Sequence, residues 1–287
     1  MPEVMTRFQR GFTLAEAVMV IVITGIIAGV VAVFIRAPMQ GYFDTARRAE
    51  LTDTADTAVR RIARDLHLAL PNSVRVTGGN QVIEFLSTRT GGRYRAEKGV
   101  VGDDILDFSA ADTSFEVLGP GIMFETGDQI VIYNLGIPGA DAYAGNAAAT
   151  DNRRAYNGAV NPVTVSNVSI TSANRLPLDS PSHRFQVVDM PVTYFCDLAA
   201  GNLWRYWGYA IQPLQTSTDT IAELDALALP ATATRGKALL AQNLSACDFA
   251  YAPGVTERSG LVSIRLSITQ SDETVSLYHA VHVSNVP

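Results

Sequence analysis

The sequence predicts an α+β protein: one long N-terminal helix, transmembrane in its first half and amphipathic in its second, packed on a mostly antiparallel β head. Three observations carry that prediction. Ala17 to Ile35 is an uncharged run, long enough to cross a bilayer, which takes about twenty apolar residues. Leu51, Ala55, Ala58, Val59, Ile62, Leu66 and Leu70 recur at three- and four-residue spacing, the stripe of an amphipathic helix. Beyond Asn72 the pattern changes to short β-type runs divided by turn residues.

The first element opens with Arg7 and Arg10, then Gly11-Phe12-Thr13-Leu14-Ala15-Glu16. A carboxylate entering hydrocarbon is expensive and needs a partner. A cleaved secretory signal accounts for the two arginines, but its apolar core is shorter than Ala17–Ile35 and Glu16 interrupts it. A plain signal anchor accounts for the length and leaves Glu16 unexplained. Gly25 and Gly29 form a Gly-x-x-x-Gly pair that lets helix backbones approach closely, although glycine is common in membrane helices generally. Pro38 lacks an N–H and is expected to kink or break the helix, with the helical pattern resuming after Phe43. Asp56 with Arg60, and Arg61 with Asp65, are i,i+4 pairs on the solvated face. Leu70-Pro71-Asn72 is the expected stop.

The head reads as strands at 73–77, 81–87, 114–118, 129–133, 163–170, 184–189, 192–196, 203–210, 246–251, 261–269 and 274–284, with a short helix near 221–229. Gly78-Gly79 and Gln270 to Glu273 look like hairpin turns. Gly136 to Pro162 has no periodicity. It reads as a long structureless loop, either an assembly contact or, slightly favoured, a tolerated insertion.

The formal net charge of -6 and the lack of a basic stripe argue against a nucleic-acid partner. Only 17% of residues are charged, which suits an extracytoplasmic β-rich surface. Cys196 and Cys247 lie in no metal-binding spacing; in a chain exported to an oxidising compartment they are expected to form one disulfide. His279 and His282 sit three apart on one strand and therefore point to opposite faces. No nucleophile elbow, phosphate-cradling loop or zinc signature appears, so no enzymatic activity, cofactor or metal is expected. Asp103, Asp104 and Asp107 are oxygen donors of the kind calcium takes, but an acidic turn is the favoured reading. Alternation puts Trp204 and Tyr206 on one strand face and Trp207 and Tyr209 on the other, as packing residues.

Gly11-Phe12-Thr13-Leu14-x-Glu16 followed by an apolar helix resembles the N-terminus of type IV pilins and pseudopilins. The resemblance implies a prepilin leader of residues 1–11, cleaved after Gly11 by prepilin peptidase, with N-methylation of Phe12. It implies a transmembrane and filament-core helix at 12–38, an amphipathic helix at 39–71, and a periplasmic head at 72–287. Phe12 and Glu16 become assembly residues, the carboxylate pairing with a neighbour's N-terminal amine. Val33–Pro38, Gly41–Asp44, Ala46–Asp53, Leu70–Arg75, Tyr206–Ala210 and Leu277–Pro287 are similar to the MshO family of MSHA-biogenesis minor pilins. That likeness implies other minor and major pilins, the assembly platform, the assembly ATPase and the secretin as partners. It implies a single-pass inner-membrane location before incorporation into a pilus or pseudopilus. A retained Glu16 argues against the extreme tip position, where no neighbour lies above. The alternatives are a J-like minor pseudopilin of a type II secretion system and a signal-anchored periplasmic binding or enzyme domain.

Overall fold

The structure, a computed structural model, describes residues 11–160, 164–171, 174–229, 235–254 and 259–287. Arg7, Arg10, Pro162 and Val163 lie outside the described residues. The chain divides into two compact units, Met1–Glu50 and Leu51–Pro287.

The helix α1 runs from Leu14 to Leu66. Of the two expected outcomes at Pro38, a kink or a break, the break does not occur: the helix continues through it, since a proline removes one i→i−4 bond and helix on both sides carries the chain past it. It ends four residues early. Leu68, Ala69 and Leu70 leave the helix to pair with β2, Leu70 N–H donating to Leu86 O at 2.8 Å and Thr88 N–H to Leu68 O at 2.7 Å. A strand edge therefore outcompetes the last helical turn.

The head's strands follow in order: β1 (Arg75–Thr77), β2 (Val82–Tyr94), β3 (Ser114–Leu118), β4 (Ile122–Met123), β5 (Gln129–Ile132), β6 (Arg153–Ala155), β7 (Thr164–Val165), β8 (Asn167–Ser169), β9 (Arg184–Asp197) and β10 (Asn202–Trp207). Then come the short helix α2 (Ile221–Ala228) and strands β11 (Gly236–Gln242), β12 (Leu244–Ala252), β13 (Gly260–Gln270) and β14 (Glu273–Val283). A large sheet runs β11-β10-β9-β2-β3-β8, with β1 on β2 and β5-β6 on β9; a second sheet is β12-β13-β14, and β4 pairs with β7. Every named ladder is antiparallel. The β13–β14 turn closes on Ser271 and Asp272, both at positive φ, as a two-residue hairpin requires.

The main core lies where three surfaces meet. Leu51, Ala55, Ala58, Val59, Ile62 and Leu66 of α1 pack with Ile83, Phe85 and Tyr194 of the large sheet and with Phe249, Ile264 and Leu266 of the three-stranded sheet. Cys196 of β9 and Cys247 of β12 are joined by a disulfide across 51 residues, so the expected bridge ties the two sheets together. Asp65 fastens the helix electrostatically. It accepts from Tyr194 Oη and Arg205 Nε, both at 2.7 Å, and pairs with Arg61 at 3.2 Å.

Three expectations need correcting. The runs at 184–189 and 192–196 are one strand, β9, in which Pro191 sits beside a register shift, where its missing N–H costs least. Tyr209 does not share the face of Trp207: β10 ends at Trp207, Gly208 turns the chain at φ +76, and Tyr209 joins Tyr206 and α2 in a separate cluster. The segment 136–160 is packed rather than structureless. It holds β6, and Ala140, Ala142 and Tyr143 are buried. The fully buried Arg154 donates to the carbonyls of Ala148, Asp151, Arg153, Asn174 and Arg175, a fixed cation standing where a loop would otherwise leave acceptors unpaired.

Candidate functional site

The candidate site is the start of α1. Gly11, Phe12 and Thr13 precede the helix outside any regular secondary structure, and Phe12 is 83% exposed. Nothing lies within 4 Å of the position a Cβ would take at Gly11. Thr13 is the N-cap. Glu16 N–H donates to Thr13 Oγ1 at 3.3 Å, while the Glu16 carboxylate accepts from Thr13 N–H at 3.1 Å and Thr13 Oγ1 at 2.9 Å. This is a capping box, in which N-cap and N3 side chains satisfy each other's orphan backbone groups.

That box changes the standing of Glu16. Its carboxylate has a local partner inside the chain, and it lies at the helix N-terminus where the peptide dipoles favour negative charge. Sequence reasoning missed Thr13, although the Thr-x-x-Glu spacing that signals it is present. The same spacing recurs at Thr220–Glu223, which caps α2 in the same way. There it has no bearing on assembly, so a capping box alone is not an assembly signal.

Downstream, the helix presents Val18, Ile21, Ile23, Ile26, Ile27, Val33 and Phe34 to its surroundings. Among the described residues this is the one helix long and apolar enough to cross a membrane. Gly25 and Gly29 lie on it four residues apart, and a Cβ added at either meets nothing within 4 Å. Both positions are therefore accessible to another helix.

The remaining candidates resolve into structure. Asp103 accepts from the backbone N–H of Gly99 and Val100 and pairs with Arg95. Asp104 takes Ser114 and Asn167, and Asp107 takes Ser109. The three carboxylates thus serve separate contacts, Asp103 and Asp107 in local turns and Asp104 on the β3–β8 pair, and no group of three metal-binding side chains occurs among the described residues. His279 and His282 are both exposed and stand opposite Ile264 and Leu261 in the ladder, an odd separation that puts them on opposite faces.

Residues 6–32 match the family described as the prokaryotic N-terminal methylation motif. The N-terminus is type IV prepilin-like. No curated protein and no solved structure matches the chain. Motif and apolar helix together fit a membrane-anchored, pilin-like protein, and a structural role rather than catalysis is what such a motif suggests. A pilin-like N-terminus also implies assembly with pilus machinery in general. The narrower likeness to MSHA minor pilins rests on the sequence segments alone.

Proposed function

We propose that this chain is a minor pilin, cut after Gly11 by prepilin peptidase, methylated on the new amine of Phe12, and assembled with other minor pilins to initiate or cap an MSHA-type pilus. The observation that carries the reading is the methylation-motif match over the exposed Gly11–Phe12 junction, with Glu16 one helical turn away. Cleavage creates a cation on the residue immediately before the helix cap. In a bundle of apolar helices, an amine and a carboxylate from adjacent subunits offset each other's desolvation. The capping box holds Glu16 ordered at the helix start until a neighbour's amine arrives. Gly25 and Gly29 then let neighbouring helices close on one another. The head, facing the periplasm, meets the other minor pilins, while the platform, ATPase and secretin drive extension.

The runner-up is a J-like minor pseudopilin of a type II secretion system, which shares the N-terminal chemistry and a large β-rich head. Co-purification of the full-length chain from detergent-solubilised membranes separates the two. Recovery of short-leader pilins encoded with the MSHA ATPase supports the proposal. Recovery of general-secretion pseudopilins in their place would transfer the chain to the runner-up.

A further inference from the structure

The large sheet carries an arrangement that folding alone disfavours. Arg93 of β2 and Arg184 of β9 stand directly opposite in the ladder, and both are exposed. Like charges in that position repel. Neither guanidinium makes a hydrogen bond or ion pair with any described residue. The acids that might have relieved them are committed elsewhere: Glu116 accepts from Arg95 Nε at 2.6 Å, Glu125 pairs with Arg89 at 2.5 Å, and Asp179 takes the Tyr94 hydroxyl and lies 3.6 Å from His183.

Between and beside these arginines lies a hollow of about 430 Å³ lined by Thr88, Gly91, Arg93, Leu118, Arg184 and Gln186, among others. Gly91 stands opposite Gln186 in the ladder, so one side of that pair has no side chain and the sheet surface dips. A side chain at Gly91 is excluded in any case, since its Cβ would lie 2.7 Å from Phe185 O. Two lining residues add a second, independent sign. Thr88 Oγ1 and Gln186 Oε1 are buried, and neither has a hydrogen-bond partner among the described residues. Buried polar atoms without partners are rare enough to require a reason.

We infer that this hollow binds a carboxylate flanked by hydroxyl groups, the carboxylate between Arg93 and Arg184 and the hydroxyls on Gln186 and Thr88. Arginine forks match a carboxylate's two oxygens, which cancels the repulsion between them. Gln186 Oε1 and Thr88 Oγ1 are buried, so both side chains turn toward the hollow on binding, Gln186 Oε1 then accepting from one ligand hydroxyl and Thr88 Oγ1 exchanging a hydrogen bond with another. Leu118 supplies an apolar wall for carbon. This chemistry is shared by uronate residues of acidic polysaccharides and by free sugar acids.

The test is calorimetric titration of the full-length chain in detergent with trigalacturonate, its methyl-esterified form, gluconate and sulfate. Trigalacturonate is expected to bind and the neutral ester not to. Arg93→Ala or Arg184→Ala should each weaken binding about tenfold or more, as loss of a charge-assisted hydrogen bond implies. Thermal stability should be unchanged or raised in either variant, because a repulsive pair has been removed. Binding of trigalacturonate alone assigns the site to a polysaccharide uronate; binding of gluconate as well assigns it to sugar acids at large. Equal binding of the ester, equal binding by the double variant, or sulfate binding as tightly as trigalacturonate would overturn the inference.

Discussion

Glu16 is the residue on which two roles meet. In the isolated chain it completes a capping box with Thr13; in the proposed filament it faces a neighbour's amine. Substitutions separate the roles. Glu16→Ala removes both, and stranding a buried amine costs about 3–5 kcal/mol, so incorporation into filaments should fall more than a hundredfold while the melting temperature of the head stays put. Thr13→Ala removes only the cap, costing about 1 kcal/mol of helix stability, and should leave incorporation within a few-fold of wild type. Filament immunoblots and thermal melts read both outcomes; equal losses of incorporation would mean that capping, not charge pairing, is what assembly needs. Asp65 poses a simpler case. Asp65→Ala leaves the guanidinium of Arg205 and the hydroxyl of Tyr194 without their shared acceptor, and should lower stability by about 3 kcal/mol in denaturant unfolding. The Arg61–Asp65 pairing was readable from spacing, whereas Arg205, which is 140 residues distant, was not. Local chemistry leaves a periodic trace and long-range partners leave none.

At the scale of elements, legibility followed length and periodicity. The α1 stripe from Leu51 to Leu66 is buried as the three- and four-residue spacing required. Ser114–Leu118 and the alternating Ile264, Leu266 and Ile268 emerged as strands for the same reason. What escaped was short or carried no alternation: β4 has two residues, β6 three, and Gly-Lys-Ala-Leu-Leu-Ala-Gln of β11 has no period of two. Gly91 and Gly92 lie inside β2, where Cβ atoms would press on Phe185. Glycine marked a close approach there, not an ending. Ile62 is the direct probe of the helix–head packing within the second unit. It is fully buried at the centre of the α1 stripe, so Ile62→Ala should cost about 2–5 kcal/mol, read as a lower urea midpoint. A loss under about 1 kcal/mol would show that this stripe does not form the core described.

Over the whole molecule, the long apolar N-terminal helix and the change to short β-type runs after Asn72 made the α+β organisation legible, and helix and motif together are consistent with a membrane-anchored pilin-like chain. The disulfide belongs to this scale because it joins the two main sheets. Replacing Cys196 and Cys247 by serine frees a loop of 51 residues and should lower stability by about 4 kcal/mol in the chain-entropy description. Reduction of the wild-type protein should lower its melting temperature in parallel, and no change on reduction would mean that the bridge constrains nothing. The candidate site was legible because its chemistry lies in six consecutive residues, Gly11 to Glu16. The arginine-lined hollow was not, because Arg93 and Arg184 meet only through strand register.

The central claim is that Gly11–Phe12 is a processing junction that creates the assembling amine. Intact-mass and N-terminal peptide spectrometry of the chain extracted from membranes of peptidase-competent cells tests it most directly. The account predicts a mature protein beginning at Phe12 and heavier there by one methyl group. A chain that still begins at Met1 or Met5 in those cells would contradict it.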